Sequence, residues 1–279
     1  MTPCPRELKK RYQEGRLLPF IGAGASMSFS WKDLQGNLVR GPSWEQLVNR
    51  AATELGFSVA ELARVRGTDQ QILEYFKIKQ GNEIAKLTNW LASQMTPPDD
   101  DLKHSALHKE LSKLKRCKKF YTTNYDNFLE RAFKLNGRSV HVSAIESQLG
   151  IDDHECEVVK FHGDLEHPNQ IVLTESDYEQ RLRFATPMDY RLRSDLLGRV
   201  ILFIGYSFRD PNVSYLFRLF TDDFYDQAGG ITGMRGYIVV SDASDFERVM
   251  FEKRRIGVID IDGNDKTGGT VKLLSEMLS

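Results

Sequence analysis

Val200-Ile201-Leu202-Phe203-Ile204 is an unbroken apolar run that stops at Gly205. A strand with one face in water alternates polar and apolar side chains. A run without alternation is buried on both faces, as parallel strands flanked by helices are. A shorter run, Leu17-Leu18-Pro19-Phe20-Ile21, stops in the same way at Gly22. Strand-like segments recur at Lys119–Thr122, Ser139–Val142, Glu157–Phe161, Gln170–Leu173, Tyr237–Val240 and Val258–Ile261.

Helical signals separate them. Arg6 to Gly15 is charged and helical in pattern. Ser43 is an N-cap with Gln46 at the capping-box position, and Gly56 closes a helix whose apolar residues Leu47, Val48, Ala51 and Leu55 recur at helical spacing. Tyr125–Leu135 ends at Gly137, Ser176-Asp177-Tyr178-Glu179 opens a helix toward Phe184, and Met188–Leu197 and Asp210-Pro211 supply two more. Residues 27–42 read as irregular, with Gly36 and Gly41. Two or three helices are expected between Thr68 and Lys115, broken by Pro97-Pro98 and by Asp99-Asp100-Asp101. Strands alternating with helices predict an α/β class: a Rossmann-like, doubly wound, mostly parallel sheet. A single domain over residues 1–279 is expected, with a helical insertion around residues 60–115.

Composition narrows the function. A formal net charge of −1 gives no global pull toward nucleic acid or anionic membrane, and neither partner is expected. The basic stretch Lys113 to Lys119 reads as a solvated helix end. Cys4, Cys117 and Cys156 are scattered, with no Cys-x-x-Cys pair, so a zinc ribbon is excluded and a reducing cytoplasm is expected. The first residues lack the apolar core of a signal peptide, and no apolar run reaches membrane-spanning length.

Three segments carry chemistry, each at the end of a strand-like run. Gly22-Ala23-Gly24-Ala25-Ser26 is a turn in which backbone N–H groups can approach a diphosphate, with Ser26 adding a hydroxyl. It also suits a tight strand–loop connection with no ligand, and Met27 occupies the third glycine position of the full dinucleotide pattern. Thr122-Thr123-Asn124-Tyr125-Asp126 sets an amide beside a carboxylate; Asn124 can hold a water or a ribose hydroxyl, while Asp126 equally suits a helix N-cap. Phe161-His162-Gly163-Asp164 offers an imidazole with an ordinary pKa of about 6.5, suited to a general base or a ribose contact, or simply to a hydrogen-bonded histidine. Gly205-Tyr206-Ser207 either lines an adenosine or ends the strand. His104 and His108, four apart, read as one helix face without a third metal ligand. No P-loop and no Gly-x-Ser-x-Gly elbow occurs.

Taken in order, Gly-Ala-Gly-x-Ser, Asn-x-Asp, His-Gly and a later Gly-x-Ser resemble the sirtuin superfamily over residues 17–210. Leu-Leu-Pro-Phe-Ile-Gly-Ala-Gly-Ala-Ser, Thr-Thr-Asn-Tyr-Asp, Lys-Phe-His-Gly and Phe-Ile-Gly-Tyr-Ser-Phe-Arg-Asp look like the SIR2-like NAD hydrolases of bacterial antiphage defence. The resemblance implies a catalytic pair, Asn124 and His162, with NAD held along Gly22, Ala23, Gly24, Ala25, Ser26, Asp126, Gly205 and Ser207. Deacylating sirtuins carry a cysteine-rich zinc module that this chain cannot build, so no metal is expected. Their Asp-Phe-Arg loop is also missing, the nearest acid being Asp33. The implied activity is cleavage of NAD to ADP-ribose and nicotinamide as a defence effector that depletes cellular NAD when triggered. It brings with it a homo-oligomer and an activating or sensor protein encoded nearby. The rival readings are an NAD-dependent protein deacylase and a non-catalytic module that binds NAD or ADP-ribose. The chemistry suits the first: nicotinamide leaves as a neutral base from a cationic glycoside, so orientation, charge stabilisation and a placed water suffice.

Overall fold

The computed structural model of the chain describes residues 2–58, 60–150, 153–181, 183, 185–207 and 233–279. Its strands are β1 (Leu17–Ile21), β2 (Trp31–Lys32), β3 (Leu38–Val39), β4 (Lys119–Thr122), β5 (Val140–Ser143), β6 (Cys156–Lys160), β7 (Val200–Ile204), β8 (Gly236–Ser241) and β9 (Ile256–Ile261). Among the described residues one seven-stranded sheet runs β5-β6-β4-β1-β7-β8-β9, every neighbouring pair parallel. This is the expected doubly wound, Rossmann-like α/β architecture. The chain fills one side of β1 with β4, β5 and β6, then crosses to the other with β7, β8 and β9. Pro19 cannot donate to a ladder, and the register of β1 with β4 begins just after it, at Phe20.

Helices cover both faces. They are α1 (Arg6–Gln13), α2 (Ala23–Met27), α3 (Trp44–Glu54), α4 (Ala60–Arg64), α5 (Asp69–Lys79), α6 (Ala85–Gln94), α7 (Asp99–His104), α8 (Ala106–Ser112), α9 (Phe128–Leu135), α10 (Glu175–Arg181) and α11 (Pro187–Leu196). The last two described are α12 (Asp245–Glu252) and α13 (Lys266–Leu278). Successive β1 side chains go to opposite layers. Leu17 and Ile21 join a cluster with Leu8 of α1, Leu111 of α8, Phe133 of α9 and Leu274 of α13. Leu18 and Phe20 join another with Leu192 of α11 and Phe251 of α12. All of β1, β6 and β7 is buried, as strands between two helical layers must be. A separate cluster forms from α3 to α6, where Leu47, Val48, Leu73, Phe76 and Leu87 pack with Ile171 and Leu173.

Capping chemistry sets several helix starts. Ser43 and Gln46 form the expected box on α3, and Thr68 with Gln71 forms another on α5; each cap contributes about 1 kcal/mol.

Several expectations need correction. Gln170–Leu173 is not a strand: its apolar residues Ile171 and Leu173 serve the helical cluster, while the Val172 N–H bonds to the His162 carbonyl outside any ladder. Residues 27–42 are not wholly irregular. β2 pairs with β3 antiparallel, Asp33 accepts from the Gln35 and Asn37 N–H groups at the turn, and Trp31 buries against Phe128. Asp99, Asp100 and Asp101 do not break a helix but form the first turn of α7, where carboxylates suit the helix dipole. His104 and His108 share no helix, since the chain turns at Ser105 between α7 and α8. Helix α10 starts ahead of Ser176, because Asp177 accepts from the Leu173 and Thr174 N–H groups. Helix α9 begins at Phe128 rather than Tyr125, leaving Asn124 and Asp126 in the preceding turn. Phe184 and the segment from Phe208 to Pro211 lie outside the described residues.

Candidate active site

At the carboxyl ends of β1, β4, β6 and β7 the chain continues into Gly22, Thr123, Phe161 and Gly205. The winding direction reverses at β1, where open parallel sheets leave a crevice.

The glycines of the first turn are explained by the neighbouring loop. A Cβ on Gly22 would lie 2.7 Å from the Gly205 carbonyl oxygen, and one on Gly24 2.8 Å from the Gly205 Cα. Gly205 has φ +78°, and a Cβ there would meet the Ala25 nitrogen at 2.6 Å. Two loops thus close on each other with no room for side chains. The Gly22 and Gly24 N–H groups are used in this closure, donating to the Ile204 and Gly205 carbonyls at 2.8 and 2.9 Å. Tyr206 is structural as well: its hydroxyl donates to the Ile21 carbonyl at 3.0 Å and meets the Thr123 hydroxyl at 3.0 Å.

Asn124 has its amide polarity set by a chain of partners. The Asp126 carboxylate can only accept, so the Ser26 hydroxyl donates to it at 2.7 Å. Ser26 Oγ therefore accepts from Asn124 Nδ2 at 3.0 Å, and the Gly22 carbonyl accepts from the same nitrogen at 3.1 Å. Asn124 Oδ1 is left buried without a partner, an acceptor ready for a hydroxyl or water. The other Asp126 oxygen accepts from the Phe128 N–H at 3.0 Å, one position ahead of Asn127, the N-cap of α9. The N-cap expected at Asp126 therefore falls on Asn127 instead. Ser26 is buried, its proton committed to Asp126.

His162 is 1 % exposed, and its Nδ1 has no partner. Its ring stacks on Phe161 at 5.7 Å and meets the edge of Tyr178 at 5.6 Å and 90°. Burial, aided by the Arg181 guanidinium, holds its pKa well below the ordinary histidine value, so the imidazole is neutral. Gly163 takes φ +75° to turn the chain, and a Cβ there would strike the Gln170 carbonyl at 2.7 Å.

Two adjoining cavities open here, both bordered by Ala23. One, of ≈ 90 Å³, is lined by Ser26, Asn124, Asp126, Trp44, Met95 and Tyr178. The other, of ≈ 440 Å³, is lined by Gly24, Ala25, Gly205, Ser207, Lys266 and Thr267. Every expected NAD-binding residue except Gly22 thus lines one of the two. His162 lines neither, and Tyr178 stands against it on the Asn124 side. The smaller cavity is well below the about 300 Å³ at which ligand pockets usually begin, so a substrate sugar needs it to widen.

Sequence reasoning missed Tyr178 and a buried charge pair below the Asn124 turn. Lys160 is 1 % exposed and donates to Glu130 Oε1 at 2.9 Å. A lysine inside Val158-Val159-Lys160-Phe161 was the available signal, because a charge in a buried strand requires a partner.

Residues 118–259 match the SIR2-like domain. The chain belongs to the SIR2-like family. Among its relatives, the NAD(+) hydrolase ThsA of Bacillus cereus (strain MSX-D12) is 29% identical over 76% of this chain and 41% of that protein. The NAD(+) hydrolase ThsA of Enterococcus faecium is 31% identical over 74% of this chain and 41% of its own length. Defense-associated sirtuin 2 of Bacillus subtilis is 24% identical over 95% of this SIR2-like chain and 25% of that protein. The chain therefore spans less than half the length of these curated relatives.

Proposed function

We propose that this SIR2-like chain hydrolyses NAD to ADP-ribose and nicotinamide. The observation that carries the reading is the unpartnered Asn124 Oδ1, a buried acceptor fixed at the edge of the crevice. The likeness of the chain to the NAD(+) hydrolases ThsA supports it. The larger cavity, with Ser207, Lys266 and Thr267 on its wall, has the size and polarity for the ADP part of the substrate. The nicotinamide ribose then lies toward Asn124. The C1′–N bond breaks with its electron pair going to the pyridine nitrogen, and water oxygen bonds to C1′. Asn124 Oδ1 accepts from that water or from a ribose hydroxyl. Neutral His162 accepts the proton the incoming water releases, directly or through a ribose hydroxyl. No step calls for a metal.

For His162 to act, Tyr178 must turn aside and the smaller cavity widen. That supports an enzyme silent until triggered, and the name of the Bacillus subtilis relative, a defense-associated sirtuin, supports a place in defence, which we take to be antiphage defence. An activating partner, self-association into a homo-oligomer and a cytoplasmic location belong to the same reading. Among the described residues no helix is long and apolar enough to cross a membrane.

The test incubates the purified chain with NAD, alone and with candidate partners, and resolves products by chromatography. Asn124→Ala and His162→Ala should each fold and lose about 100-fold or more in rate. Wild-type rates in both folded variants would overturn the site.

A further inference from the structure

Lys160 closes β6 two residues before His162, with its side chain buried beneath the turn that carries Asn124. Its ammonium reaches three acceptors: Glu130 Oε1 at 2.9 Å, the Asp126 carbonyl, and, at the 3.5 Å limit of a hydrogen bond, the Tyr125 carbonyl. Those carbonyls belong to the turn between β4 and α9, before the helical ladder begins, where backbone acceptors need outside donors; the Tyr125 carbonyl also accepts from the Leu165 N–H at 3.2 Å, and Lys160 is the donor to the Asp126 carbonyl. β6 is paired to β4 with Thr122 opposite Lys160, so the contact bolts the Asn124 turn onto the strand that leads to His162. From the other side, Ser26 and the Gly22 carbonyl hold the Asn124 amide.

We propose that Lys160, with Glu130 as its counter-charge, is a positioning residue that fixes the Asn124 turn relative to His162; this rests on the NAD-hydrolase reading of the site. Stability alone does not explain the pair. Glu130 Oε2 has no partner, so the pair leaves an acceptor unsatisfied in the interior. Buried ion pairs replaced by apolar residues of similar volume often cost nothing in stability. What an apolar pair cannot do is donate to the Asp126 carbonyl and hold the turn through it. Lys160 stays charged: burial opposes the ammonium, but the Glu130 and Asp126 carboxylates outweigh it and raise its pKa above the ordinary lysine value. Burial raises Glu130 at the same time, so the carboxylate is held there by Lys160 rather than by solvation.

The test is the double variant Lys160→Met/Glu130→Leu, which removes both charges at near-constant volume. Thermal melting, NAD turnover and amide hydrogen exchange over residues 119–128 are measured on the same preparations. The expected result is a folded protein that melts modestly lower, because the Asp126 carbonyl loses its donor, with faster exchange confined to the turn and kcat lower by about 10- to 100-fold at nearly unchanged KM. A purely structural pair leaves turn protection and kcat at their wild-type values whatever happens to melting, and the proposal then falls. If the double variant does not fold, Lys160→Gln/Glu130→Gln, which removes both charges and ends the side chain one bond short of the lysine nitrogen, is read by the same criteria. Failure of the wild-type chain to cleave NAD under any activating condition would sink the NAD-hydrolase reading, while the exchange measurement still decides whether Lys160 orders the turn.

Discussion

Asn124 is useful only if its oxygen, not its nitrogen, faces the crevice, and Asp126 enforces that through Ser26. Asp126→Asn tests the enforcement. The asparagine oxygen can still accept from the Phe128 N–H, so the start of α9 is kept and the melting temperature should change little. The new amide can donate to Ser26, which then no longer has to accept from Asn124. The amide loses its single polarity, and kcat should fall by about 10- to 100-fold with stability retained, read by steady-state kinetics beside calorimetry. Unchanged kcat would show that Gly22 alone orients Asn124. The residue types of this network were legible in the sequence, because Gly, Ser, Asn and Asp at strand ends have few roles. Their connections were not. Ser26 and Asp126 are 100 positions apart, and only the pairing of β1 with β4 brings them within 2.7 Å. Sequence separation also hid Glu130 from Lys160, 30 positions away, and hid the fact that Gly22 and Gly24 are required by Gly205.

Strands were the most legible elements, since β1 and β7 sit where unbroken apolar runs stop at glycine. Ile171 and Leu173 misled because an extended segment packing on helices shows the same burial as a strand. Helix α10 shows what an element adds beyond its residues. It carries Tyr178 against His162 and is tied to α5 by Lys77 to Asp177, Gln71 to Glu175, and Glu74 to Ser176. Through these bonds the helical cluster of α3 to α6 holds the ring that separates His162 from the Asn124 cavity. Removing the ring should loosen that hold without touching Asn124 or His162. Tyr178→Ala is expected to raise NAD turnover by the chain on its own several-fold, as a population shift toward the open site requires. Turnover at or below the wild-type level would assign Tyr178 to substrate binding instead.

The whole molecule has a pH dependence set by two histidines buried neutral. Burial pushes His108 down to about 4, although the Asp126 carboxylate works against it, and burial with Arg181 holds His162 well below its ordinary value. In the unfolded chain both return to about 6.5. Between those limits the unfolded state binds protons that the folded state refuses, so stability is complete above about pH 6.5 and declines as pH falls toward 4. For His108 alone the full decline is on the order of 3 kcal/mol, and His162 adds to it with the same sign. Glu130 acts oppositely, because burial raises its pKa: its share is present at low pH and lost as pH rises through the folded value. His108 accordingly needs its own control. It sits against Phe29 and Phe128, with Ser105 Oγ 2.7 Å from its Nδ1. Ser105→Ala/His108→Leu removes the ring and its hydroxyl partner together, so no buried polar group is stranded. Urea unfolding at pH 7 and pH 5 should then show a markedly smaller loss of stability in the double variant than in the wild-type chain. Equal losses would place the acid sensitivity elsewhere and show that His108 is protonated in the folded protein.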